Sequence, residues 1–189
     1  PKVTLLTRPR RFGKSLTLSM LQNFLEMNYE NPEDRSRPEE LFRELTVFND
    51  KQFCDEHMGR YPVISISFKG VEDTDFPNAI IKLVSILIEQ ANKFSFLTNN
   101  KSIPAHSTAF IRKMINLEES LSPLFASDGS LSYEGTFMIY GFLKKLSALL
   151  YSVYHRQVFL LIDEYDVPLQ KAKLHGYYDE MLNIIRGIH

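Results

Sequence analysis

Two short groups of residues have the types and spacing for phosphate chemistry: Gly13-Lys14-Ser15 near the start of the chain and Asp163-Glu164 near its end. The phosphate-loop pattern is G-x-x-x-x-G-K-[ST], placed after a strand and opening a helix. The matching window is Arg8-Pro9-Arg10-Arg11-Phe12-Gly13-Lys14-Ser15, with Arg8 where the first glycine would stand. Gly13 allows a tight turn and a close approach of backbone to an anion. Main-chain N–H groups at the start of the following helix point at that anion, with the helix dipole in support. Lys14 brings an ammonium to the β- and γ-phosphates, and the Ser15 hydroxyl suits Mg²⁺. The candidate nucleotide-binding stretch is therefore Arg10, Arg11, Phe12, Gly13, Lys14, Ser15 and Leu16. Arg8 precedes a proline and is biased toward extended backbone, while Pro9 has no N–H to donate. Arg10 and Arg11 either add charge beside the phosphates or lie on a solvated face or against another part of the protein.

Gly-Lys-Ser/Thr alone arises by chance in roughly one chain in ten of this length. The second group adds the weight. Phe159-Leu160-Leu161-Ile162 is an apolar run followed directly by Asp163 and Glu164. Open α/β sheets bind ligands beyond the carboxyl ends of their strands, where Asp163 would stand. Asp163 suits Mg²⁺, held through a water, and Glu164 suits a general base for the attacking water. The plainer alternative is an ordinary charged strand terminus. Asp166 is read as a helix cap rather than a ligand, and Tyr165 as packing at the strand end.

The elements that must position these groups follow from periodicity. Lys2–Leu6 is predicted as a short buried strand. From Lys14 to about Met27, Leu16, Met20, Phe24 and Met27 recur at helical spacing. Residues 31–60 are polar and mostly helical, an insertion between the first helix and the second strand. Ser36 and Glu39 there match a capping box, and Asn49 or Asp50 can cap a further helix. Pro62–Phe68 is β-branched and alternating, hence a strand. Helices are expected over Phe76–Lys93 behind an Asp75 cap, Ser107–Glu119, Tyr133–Tyr154 and Tyr177–Arg186. Residues 157–162 form a strand of the kind buried on both faces, and Asp166 caps the turn after it. Strands separated by helices imply crossover connections and a parallel sheet. The fold class is α/β: a three-layer α/β/α P-loop NTPase fold with a mainly parallel sheet, incomplete at both ends, with 1–189 as one domain.

Composition narrows the partners. The 189 residues are 44% hydrophobic and 24% charged, with a formal net charge of −1, so no global field favours nucleic acid or an anionic membrane. Cys54 is the single cysteine, which rules out an internal disulfide, and the five histidines lie at no metal-ligand spacing. No stretch is apolar enough to span a bilayer. The chain starts at Pro1 without an initiator Met and is read as a fragment of a longer cytoplasmic protein.

The segments T-R-P-R-R-F-G-K-S-L, P-V-I-S-I-S-F and L-L-I-D-E-Y-D-V-P-L resemble the AAA-ATPase-like family of P-loop ATPases, over about Val3 to Ile185. Members of that family often carry a C-terminal nuclease domain of the restriction-endonuclease-like kind. Arg8 in place of the first glycine is part of the family's look. The resemblance implies ATP as ligand, phosphates at Gly13, Lys14 and Ser15, Mg²⁺ at Ser15 and Asp163, and Glu164 as the hydrolytic glutamate. It also implies a further strand, a sensor residue and any arginine finger outside this segment, and a possible nuclease domain in the same full-length chain. The expected activity is Mg-dependent ATP hydrolysis, with Lys14 and Glu164 catalytic. Two alternatives stand beside it: a nucleotide-gated regulatory switch with little turnover, and a degenerate P-loop scaffold or interaction module.

Overall fold

In the computed structural model, residues 3–7 and 12–188 are described. They form ten regular elements: α1 (Lys14–Leu25), α2 (Ser36–Phe42), α3 (Lys51–His57), β1 (Val63–Ser67), α4 (Phe76–Lys93), α5 (Ala105–Asn116), α6 (Tyr133–Tyr154), β2 (Phe159–Asp163), α7 (Val167–His175) and α8 (Tyr178–Ile188). Short 3₁₀ turns lie at Thr46–Asn49, Ser95–Asn99 and Ser122–Leu124. The protein is α/β: among the described residues, β1 and β2 pair as a two-stranded parallel sheet, with α4, α5 and α6 between them in the chain. By its contacts the chain divides into two units, Pro1–Ser65 with Arg156–Asp163, and Ile66–His155 with Glu164–His189.

In the first unit, Phe24, Leu25, Phe42, Cys54, Met58, Val63 and Leu161 bury together. The Phe24 and Phe42 rings meet edge to face at 5.2 Å. The C-terminal end of α1 is tied to the chain just before β1: Gly59 N–H donates to Phe24 O at 2.8 Å, Tyr61 N–H to Leu25 O at 2.9 Å, and Met27 N–H to Tyr61 O at 2.9 Å. Asp50 caps α3 by accepting from Phe53 N–H, as its position before the helix predicts.

Four expectations need correction in or beside this unit. Residues 3–7 are not a strand, and Val3 and Leu5 are 88% and 65% exposed; the described sheet holds only β1 and β2, so this apolar run has no ladder to join. (Lys2 lies outside the described residues.) β2 is not buried on both faces: Leu161 is covered but Leu160 is exposed, because a two-stranded sheet offers little to pack on its far side. Ser36 does not cap α2; it is the first helical residue, and its N–H goes to Asp34 Oδ1 at 3.0 Å. Asp34 satisfies that amide from two residues earlier and takes the place of the capping box. Asp166, finally, makes no side-chain cap on α7; its carboxylate accepts from Gln170 Nε2 at 2.6 Å, and the turn continues as a nine-residue helix ending at Gly176.

The second unit is a helical pack in which α4 lies on α5, α5 on α6, and α8 on α6 and α7. Leu83, Leu87, Ile111, Leu143, Leu146 and Ile184 are buried at its centre. Asp75 caps α4 through Asn78 N–H, and Ser132 caps α6 through Gly135 N–H at 2.8 Å. Gly135 is required by close approach, since a Cβ there would lie 2.6 Å from the Leu124 carbonyl oxygen. The predicted bounds of α4 and α6 are those observed.

Candidate functional site

α1 begins on Gly13, whose φ of 73° and ψ of 24° lie in the left-handed region. A Cβ at Gly13 would meet nothing within 4 Å, so the demand for glycine is conformational rather than steric. Among the described residues no side chain caps the helix, and its first turn contains no acidic residue. Most helices answer their first amides with a Ser, Thr, Asp or Asn side chain. Here the amides of Lys14, Ser15 and Leu16 start a helix whose cap residue has no side chain to offer. Thr17 adds a local brace that the sequence reading did not single out: its N–H and hydroxyl both donate to Gly13 O, at 2.9 and 3.0 Å. A hydroxyl four residues after the glycine was the available signal. Lys14 is half-buried and Ser15 exposed.

The side chains of Phe12 and Leu16 are 66% and 65% exposed. Arg10 and Arg11, together with Arg8 and Pro9, lie outside the described residues.

β2 ends at Asp163, which is half-buried, and α1 packs against this strand. The start of β2 is joined to the start of β1 by Phe159 N–H donating to Pro62 O at 2.9 Å. The C-terminal end of α1 and the first residues of β2 are thus both fixed to the chain at 59–62.

Glu164 follows Asp163 with φ 51°. Only it and His155 have positive φ among the described non-glycine residues. His155 has a structural reason: it ends α6, and its N–H returns to Tyr151 O. Glu164 sits at a strand end with no helix to terminate. For a side chain larger than glycine's this geometry costs about 1 kcal/mol, and such residues gather at functional sites. Sequence carries no signal for it, because glutamate is not a residue that favours left-handed backbone.

Cys54 is buried, and burial pushes its thiol pKa up, which suits a core residue and not a nucleophile. No group of three or more His, Cys, Asp or Glu side chains suited to a metal occurs among the described residues. A cation site here would draw on few protein ligands, as Mg²⁺ sites on nucleotides do. No helix among the described residues is long and apolar enough to cross a membrane.

A family model described as a predicted AAA-ATPase matches residues 1–189. No curated protein and no solved structure matches the chain.

Proposed function

The chain belongs to the AAA-ATPase-like family, and from that premise we propose that it binds ATP with Mg²⁺ at the start of α1 and hydrolyses it in the full-length protein. The observation that carries the reading is the start of α1: a left-handed Gly13, no side-chain cap, no acid in the first turn, and Lys14-Ser15 as the first helical residues. That set fits a polyphosphate, which supplies the missing acceptors and the missing negative charge.

The placement of Asp163 supports the same reading. Twelve helical residues rise about 18 Å and five strand residues about 16 Å. α1 and β2 lie side by side, and the end of the one is fixed near the beginning of the other. Equal lengths then carry the first turn of α1 toward the carboxyl end of β2. That arrangement supports a P-loop fold, and a three-layer α/β/α domain of that kind is part of the proposal.

In the reaction, the amides of α1 and the Lys14 ammonium hold the phosphate oxygens and offset charge as it shifts toward the leaving group. Ser15 and Asp163 would hold Mg²⁺, which neutralises β- and γ-phosphate oxygens when bound. Glu164 orients a water and accepts its proton as that water attacks the γ-phosphorus.

Calorimetric titration of Mg-ATP into the protein and into its Lys14→Ala variant tests the site. Loss of a charge-assisted contact of about 2 kcal/mol should weaken binding roughly 30-fold. Equal binding by both proteins would remove Lys14 from the site, and no binding by an extended full-length chain would favour the scaffold. Phosphate release separates the remaining readings. Turnover that Glu164→Gln abolishes while binding persists supports hydrolysis, whereas tight binding without release by the unsubstituted protein makes it a switch.

A further inference from the structure

A groove of about 570 Å³ lies in the second unit between α5 and α6, with no proposed role in nucleotide chemistry. Phe110 from α5 and Phe137 and Met138 from α6 stand along it, and the buried Met114 and Phe142 lie beneath them. Phe137 is 56% exposed and offers its ring to a guest. Methionine side chains between phenylalanines give a surface that adapts to an apolar guest. On α6 the lining runs from Glu134 to Ser152, about 27 Å of helix. That is longer than a compact small molecule and comparable to five turns of a docked helix.

The rim carries the charge that selects the guest. Lys113, Lys145 and His106 line the groove, against a single carboxylate, Glu134. Glu134 is already paired with Lys113 at 3.6 Å. Lys145 has no such claim on it: its ammonium lies over the Phe137 ring, 4.3 Å from the centroid. A cation–π contact at an exposed ring is worth about 0.5–1 kcal/mol, so a carboxylate arriving at the rim can draw Lys145 away and uncover the ring. A second copy docked groove to groove would bring two further lysines against these two. The charge therefore disfavours self-association and favours an acidic guest.

We propose that the α5–α6 groove is a docking site for an amphipathic helix of a partner protein, with an apolar stripe seated on Phe137 and the half-buried Phe110 and Met138, above the buried Met114 and Phe142, and acidic residues beside it facing Lys145. Helices bind such grooves through anchors at i, i+3 or i+4, and i+7. The proposal stands independently of ATP binding.

The test uses two fluorescein-labelled peptides of about 18 residues, five helical turns. Both carry one leucine stripe at i, i+3, i+4 and i+7; one is flanked by glutamates and the other by lysines. Anisotropy is read on the whole chain at low and moderate salt. The glutamate peptide should bind, more weakly at higher salt, and the lysine peptide at least about tenfold more weakly, as expected for a difference of about 1.4 kcal/mol. Lys145→Glu should reverse the preference. Ala148→Trp, at an exposed position in the groove, should weaken the glutamate peptide with an unchanged circular dichroism spectrum and melting curve. Absence of binding, equal binding of both peptides, or indifference to both substitutions overturns the proposal. So does a concentration-dependent dimer in light scattering that Ala148→Trp abolishes, since the occupant would then be a second copy.

Discussion

The two units treat the same kind of sequence pattern in opposite ways. In the second, α4 places Ile80, Leu83, Val84 and Leu87 on one face, and the structure buries all four completely. In the first, α1 also places Leu16, Met20 and Phe24 at helical spacing, but only Phe24 is buried; Leu16 is 65% exposed and Met20 43%. Val3, Leu5, Phe12 and Leu160 are exposed in the same unit. An amphipathic stripe states which face of a helix is apolar, not whether anything lies against it. In the helical unit, neighbouring helices supply the cover. In the unit around α1 the described sheet has two strands, and the apolar residues toward the start of the helix outrun it. The proposed phosphate site sits at that less covered end, where a helix can present its first amides to a ligand.

The sharpest way to break this contrast is to truncate one leucine in each unit. Leu87→Ala, at a fully buried position, should cost about 2–5 kcal/mol in urea denaturation. Leu16→Ala should change stability by no more than about 0.5 kcal/mol, since an exposed side chain has little burial to lose. A cost above about 2 kcal/mol at Leu16 would mean that α1 is covered in solution and that the contrast is false.

Glu164→Gly probes the strained position where the second unit resumes after β2. Removing the side chain from left-handed backbone should raise stability by up to about 1 kcal/mol, while ATP turnover by the full-length protein falls to background. Increased stability with undiminished turnover would leave the strain real and the base assignment wrong.

The smallest effect concerns pH. Asp34 in the first unit is held below the usual carboxylate range by hydrogen bonds from Ser36 and Asn28, and Asp73 in the second by Lys82 and Thr74. A carboxylate with a depressed folded-state pKa adds stability that is present above its ordinary pKa near 4 and is lost as pH falls below it. Melting temperatures should therefore fall as pH drops below about 4. Asp73→Asn and Asp34→Asn should each flatten that fall slightly, and a variant that melts with an unaltered acid limb would remove its carboxylate from the account.

Much of the fold was legible where local chemistry and packing agree. Asp75 marks the start of α4 because a side-chain oxygen beside an apolar period has one good use, and the structure gives it that use. α7 was legible only as a turn, since its apolar residues follow no stripe, and Asp34 displaced Ser36 because two neighbouring residues could answer the same amides. For the candidate site, the residue types and their order were plain in Gly13-Lys14-Ser15 and Asp163-Glu164. The uncapped start of α1, the Thr17 brace and the positive φ of Glu164 were not, because they are relations between backbone groups.

By itself the sequence determined which residues are candidates for phosphate and metal chemistry, that the chain is α/β, and where the long helices of the second unit begin and end. These depend on side-chain type and on interactions within a few residues. Tertiary structure alone decided that residues 3–7 are not a strand, that the stripe of α1 is half uncovered, and that α5 and α6 leave a basic-rimmed groove between them. Each depends on what lies across from a surface, and a sequence pattern specifies a surface without specifying its neighbour.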